Sequence, residues 1–205
     1  CTMAYWGMAR ANMGNEKRAQ GFIAEAVKRK GSASPREVKH VDALAKYVNT
    51  PKEKKVERAQ AYAKALEEIL YEFPDDLETR ALLALQFWVN SRNGVKIQSH
   101  EAVDALLQGI FKVNPMHPAH HYRIHLWDYK RAARAVNSAA ICGQTAPGIA
   151  HMWHMSGHIY SKLKRYHHAA RSQEASARTD HAYMMRDRVM PDQIHNYAHN
   201  NEWLC

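Results

Sequence analysis

The sequence predicts an all-α protein: a right-handed superhelix of antiparallel helix pairs, about five or six pairs with some incomplete. Three observations carry this expectation. Ala, Leu, Glu, Lys and Arg dominate, while Gly and Pro fall at segment ends. No alternating apolar–polar run is long enough to make a strand. Histidine pairs recur at i, i+4 as His121/His125, His154/His158 and His195/His199, and the first two pairs lie 33 residues apart. That step matches the length of a helix–turn–helix repeat. The expected organisation is one repeat domain over residues 1–205, clearest at 117–205 and looser at 35–115.

The elements follow in order. Met3 to Gly7 reads as the interior of a first helix, and Ala19, Ile23 and Ala26 keep a helical apolar spacing soon after it. Ser34-Pro35-Arg36-Glu37 reads as a capping box with proline at the first helical position. Asn49-Thr50-Pro51 closes that helix and opens another that runs to about Phe73. Pro74-Asp75-Asp76 marks the next joint, and Asn90 to Gly94 a loop. A helix begins near His100 and ends at Asn114-Pro115, while Gln144 to Pro147 and the segment before Pro191 punctuate the remainder. His195 to Leu204 reads as the first helix of a repeat whose second helix is absent. With Cys1 in place of an initiator Met, both ends suggest a fragment of a longer chain.

Composition narrows the function classes. Hydrophobic residues make up 46% of the 205 positions, spread throughout, which argues against disorder. No apolar run approaches the roughly 18 residues of a membrane span, and no signal-peptide pattern opens the chain; the compartment stays unassigned. The net charge of +9 invites a nucleic-acid reading, but Lys28-Arg29-Lys30, Lys52 to Lys55 and Arg186 to Arg188 are far apart and interspersed with acids. Solvated helix faces account for them better, and a nucleic-acid partner has the least support. Cys1, Cys142 and Cys205 contain no C-x-x-C and make no disulfide framework. Cys142, in an apolar run, reads as a buried small hydrophobe. No phosphate loop, dinucleotide fingerprint or activated nucleophile is legible, so no reaction is assigned.

From Ala150 to about His181, Trp153, Gly157, Tyr160 and Ala169 fall where a tetratricopeptide repeat wants an aromatic, a small residue, Tyr and Ala. Gly157 lets the paired helices approach, and Ala169 receives the neighbour's bulk. The chain therefore resembles the tetratricopeptide repeat family. In that family, positions 2, 5, 9 and 12 of the first helix of each repeat line a concave groove, and the resemblance carries that register onto this sequence. With Trp153 at position 4, His151, His154 and His158 occupy 2, 5 and 9; His121 and His125 occupy 5 and 9 of the preceding repeat. If Pro191 opens the next repeat, His195 and His199 do the same. Asp128 and Glu202 then stand at position 12.

The chain also resembles a group of bacterial tetratricopeptide proteins with a histidine motif. The group's early Ala-Tyr-Trp-Gly is present as Ala4-Tyr5-Trp6-Gly7, and its His-Tyr-x-Ile-His as His121-Tyr122-Arg123-Ile124-His125 after His117-Pro118. Its His-Met-x-x-His-Ile-Tyr is present as His154 to Tyr160, and its late His-Asn as His199-Asn200. Residues 30 to 100 match poorly. The group has no assigned activity, so this resemblance implies a fold and a histidine site but no reaction.

Imidazole is the commonest metal ligand, and i, i+4 histidines are a known chelating geometry. Helices in contact lie about 8–10 Å apart, so pairs on adjacent helices can converge. The expected metal ligands are His121, His125, His154, His158, His195 and His199, for a transition metal such as Zn, Cu or Fe. His151, Asp128, Tyr122, Arg123, Tyr160 and Glu202 are expected to line the groove, with Tyr197 as a further supporting tyrosine. The alternative is a protein or peptide partner held by the same groove without metal; an anion on protonated imidazoles is a third reading. His40 and His167-His168 are expected on polar faces. Met152, Met155, Met184, Met185 and Met190 are expected to fill core gaps rather than bind copper. Oligomeric state is not legible.

Overall fold

The computed structural model describes residues 1–204; Cys205, read above with Cys1 and Cys142, lies outside the described residues. Eleven α-helices and no strand occur among them. The chain divides into two compact units, Cys1–Gln98 and Ser99–Cys205.

The first unit holds α1 (Thr2–Ala11), α2 (Glu16–Arg29), α3 (Pro35–Asn49), α4 (Lys55–Glu72) and α5 (Leu77–Arg92), each packed on the next. Side-chain caps open α2 and α3, the second of them the capping box read from sequence. Asn15 Oδ1 accepts the Arg18 N–H at 3.2 Å, which caps α2. At α3 the capping box is complete: Ser34 Oγ accepts the Glu37 N–H at 3.4 Å and the Glu37 carboxylate accepts the Ser34 N–H at 2.8 Å. Such caps satisfy otherwise orphaned N–H groups and contribute about 1 kcal/mol each. Ala19, Ile23 and Ala26 form the buried stripe of α2, which packs on α1 and α3; Val41 and Leu44 of α3 and Tyr62, Leu66 and Ile69 of α4 are buried as well.

His40 departs from its expected polar face. It is 5% exposed, with its Nε2 2.8 Å from Thr79 Oγ1, and that hydroxyl donates to Asp76 Oδ2 at 2.7 Å. Because the Thr79 proton goes to Asp76, Nε2–H of His40 must donate to Thr79. Burial holds the ring below its ordinary pKa, against the pull of Asp76.

The second unit holds α6 (His100–Val113), α7 (His120–Trp127), α8 (Val136–Thr145), α9 (Ala150–Lys162), α10 (Tyr166–Asp187) and α11 (His195–Glu202). Its buried apolar residues include Leu107, Ile110, Ile124, Trp127, Cys142, Met155 and Ile159. Cys142 is fully buried, and burial pushes its thiol up to about 12, so it packs as a small hydrophobe. Met152, Met155 and Met184 fill the core as expected, while Met185 and Met190 are exposed.

Two glycines set the spacing of the central helices. A Cβ at Gly143 of α8 would lie 2.2 Å from the Trp153 ring of α9, and one at Gly157 would lie 2.2 Å from the Gln173 amide nitrogen of α10. α9 is thereby clamped on both sides. Ser176 of α10 adds a 2.7 Å bond to the Ala150 carbonyl, satisfying it within the core. Among the described residues, no helix is long and apolar enough to cross a membrane.

Candidate metal centre

Helix α9 is the middle of the site, and α7 and α11 both pack against it. On α9 the order His151, His154, His158 follows i, i+3 and i+4 steps, which stacks the three side chains on one face. On α7, His121 and His125 make the same i, i+4 pair, and on α11, His195 and His199 do so. The result is a continuous row of seven imidazoles. Ring centroids are separated by 4.6 Å for His125–His121, 5.0 Å for His121–His151 and 5.7 Å for His151–His154. The row continues at 4.7 Å for His154–His158, 4.9 Å for His154–His199 and 5.8 Å for His199–His195.

Within the row, His121, His125 and His151 each offer one nitrogen such that all three nitrogens lie within 4.8 Å of one another. The two on α7 stand with Nε2 to Nε2 at 2.9 Å. Ligands on a shared zinc-like ion, with bonds of about 2.1 Å in a tetrahedral arrangement, stand about 3.4 Å apart; small side-chain rotations would reach that spacing. The second close pair, His154 and His158, also has its Nε2 atoms 2.9 Å apart.

The electrostatics favour lone pairs over protons. Burial holds His121, His154 and His158 each at about 4, below the usual 6.5, and neighbouring imidazoles push in the same direction. All three rings are therefore neutral at pH 7 and able to act as ligands. Burial raises Asp128 above its ordinary value, with Lys162 opposing.

The remaining residues named from sequence take varied places. Asp128 is buried, with Oδ2 3.6 Å from His158 Nδ1 and Oδ1 3.7 Å from Lys162 Nζ. Glu202 is exposed, 3.7 Å from His199 Nδ1. The Tyr122 ring lies 5.6 Å from that of His121, whereas Tyr160 is buried and its ring neighbours exposed His168. Arg123 is not in the row. It points to the opposite side of α7, where its Nε donates to Asp104 Oδ1 at 2.6 Å and Trp127 Nε1 donates to the same oxygen at 2.8 Å. The physical reason is helical phase: a residue two positions from His121 lies about 200° around the axis.

Gln173, Trp203 and Asn196 support the row and were not singled out from sequence. Gln173 Oε1 accepts from His154 Nδ1 at 2.8 Å. Trp203 sets its ring 4.7 Å from His158 and 5.7 Å from His154. α11 is fastened to α10 by Asn196 and Asn200, whose amides donate to Asp180 Oδ2 at 2.8 and 3.2 Å; Asn200 also donates to Ser176 at 2.6 Å. The i, i+4 spacing of Asn196 and Asn200 was the available signal, since it places both on one face beside His195 and His199.

Neighbouring histidines serve structure. His117 Nδ1 accepts the Ala119 N–H at 3.0 Å at the start of α7. His120 has both ring nitrogens engaged, with Ser138 and the Pro115 carbonyl, and stacks on Phe111.

No family model matches the chain, and no curated protein matches it. Among solved structures it is similar to MamA MSR-1 C2, with a TM-score of 0.53 and 16% identity over 89% of this chain and 98% of that one. MamA is a tetratricopeptide-type helical protein, and the likeness shows that this chain shares that all-α fold. At this identity it extends to the fold alone.

Proposed function

We propose that this chain is a tetratricopeptide-type scaffold that binds a transition metal ion through the histidine row of its second unit, with His121, His125 and His151 as ligands. The supporting observation is the meeting of these three nitrogens within 4.8 Å. An all-imidazole donor set suits Zn, Cu, Fe or Ni and disfavours Mg and Ca, which take oxygen ligands. His154, His158, His195 and His199 extend the same surface.

The test is elemental analysis of protein that has never met an affinity-column metal. The expected result is at least one equivalent of a transition metal, with one equivalent fewer in His121→Ala/His125→Ala protein that keeps its helical circular-dichroism spectrum. Less than a few tenths of an equivalent, with no thermal shift on adding Zn or Cu, would refute the reading. The fold also favours a second reading, a peptide held along the row without metal. A partner captured through His121 and His154, and retained in the presence of chelator, would select that reading.

A further inference from the structure

The other close pair in the row, His154 and His158, also brings two Nε2 atoms to 2.9 Å. We infer that His154 and His158 hold a second metal ion, separate from the one at His121, His125 and His151, with His199 as the third imidazole at that end. This rests on the metal reading of the row and deepens it.

The argument comes from what lies behind each ring. His154 Nδ1 faces Gln173 Oε1 at 2.8 Å, His158 Nδ1 faces Asp128 Oδ2 at 3.6 Å, and His199 Nδ1 faces Glu202 Oε2 at 3.7 Å. In all three cases an oxygen stands on the Nδ1 side. An oxygen acceptor there favours the Nδ1–H tautomer and leaves the lone pair on Nε2, as is usual for metal-bound histidine.

For His154 this tautomer is enforced. The Gln173 side chain is fully buried, its amide nitrogen is directed at the His154 carbonyl at 3.4 Å, and the absent Cβ of Gly157 makes its berth. Turning the amide to offer N–H to Nδ1 would give up that bond. When His158 also carries its proton at Nδ1, toward Asp128 Oδ2 at 3.6 Å, the Nε2 lone pairs of His154 and His158 meet at 2.9 Å. Two lone pairs at that distance repel unless a cation or a proton lies between them. A proton on His158 Nε2 would turn its Nδ1 lone pair toward Asp128; a metal ion removes both conflicts.

Asp128 supplies the second observation. It is 4% exposed, and its Oδ1 has no hydrogen-bond partner, with only the Lys162 ammonium 3.7 Å away. A buried carboxylate behind a ligating imidazole is the usual outer partner of a metal–histidine unit and offsets the ion's charge. Trp203, against both rings, covers the pair on one side. The imidazole donors again select Zn(II), Cu(II) or Ni(II) over hard cations.

The test is stoichiometry. Metal-free full chain is titrated with zinc chloride by calorimetry, and bound zinc is counted after desalting. The expected result is two equivalents in the wild type, one in His154→Ala/His158→Ala and one in His121→Ala/His125→Ala. Asp128→Asn should weaken one of the two binding events by about 10- to 100-fold and leave the other unchanged. Should the His154/His158 double variant fail to fold, His158→Gln alone carries the test, with the loss of one equivalent expected. A single equivalent in the wild type, abolished by either double variant, would overturn the second site and leave the metal reading standing. Two equivalents that survive His154→Ala/His158→Ala or His158→Gln would also overturn it. No bound zinc would sink both.

Discussion

Acid should destabilise the metal-free protein well before its carboxylates titrate, and His154 gives the magnitude. The ring is 2% exposed and sits at about 4 in the folded chain, against about 6.5 once unfolded. For a base with a depressed folded value, the unfolded state takes up the proton first. Its contribution is therefore complete above pH 6.5 and is lost as pH falls toward 4. At about 1.4 kcal/mol per tenfold, His154 alone costs about 2 kcal/mol of stability at pH 5 and about 3 kcal/mol at pH 4. His121 and His158 act with the same sign, since both also sit at about 4. Because the rings are in contact, their contributions titrate jointly and do not simply add. Asp128 and Asp180, raised by burial, act with the opposite sign: their contribution is present at low pH and is lost as pH rises. The assay is urea unfolding of chelator-treated protein at pH 8, 7, 6 and 5, followed by circular dichroism at constant m value. His154→Leu should flatten the curve by about 2 kcal/mol at pH 5. Equal stability at pH 8 and pH 5, or an unchanged slope in His154→Leu, would refute the reasoning.

Three substitutions probe the packing that supports the row. Gly143→Ala forces a Cβ to within 2.2 Å of the Trp153 ring, whose Nε1 is tied to the Pro147 carbonyl at 3.0 Å; overpacking should exceed the helix-propensity gain of about 1 kcal/mol and destabilise by about 1–2 kcal/mol in urea unfolding. Gly157→Ala displaces the Gln173 amide from His154, so imidazole nitrogen NMR at pH 8 should show His154 losing its pure Nδ1–H tautomer while helix content is kept. Arg123→Met leaves the Asp104 carboxylate, 4% exposed, without its bidentate partner; a loss of about 3–5 kcal/mol is expected by thermal or urea unfolding.

Much of the fold is written locally. Ser34 to Glu37, Asn49 to Pro51 and Asp76 each place a helix boundary through a capping or proline effect that needs no distant partner. Gly157 and Cys142 were legible because close approach and burial demand small side chains in a predictable register. His40 was not, since Arg36 and Glu37, one turn before it on the same face, are charged and its burial depends on Thr79, 39 residues away. Arg123 was legible in principle: the phase that puts His121 and His125 together turns it to the other side. Its Asp104 partner lies on another helix and gives no local trace.

The candidate site divides in the same way. Spacing brought the pairs onto common faces, and the repeat period set α7 beside α9, but neither says which histidines have a nitrogen to spare. That depends on the second ring nitrogen. His120 spends both on Ser138 and Pro115, so its neighbour in sequence, His121, is the one left in the row. His117 spends Nδ1 on a backbone N–H at the start of α7. His154 spends Nδ1 on Gln173, and the same bond that looks structural is what frees Nε2 toward His158. A hydrogen bond thus disqualifies one histidine and prepares another, according to whether the remaining ring nitrogen donates to a backbone carbonyl or faces a second imidazole. Those partners come from α8, α10 and the loop before α7. Capacity to bind an ion therefore resides in tertiary contacts around the row, and the i, i+4 pairs mark only where to look for it.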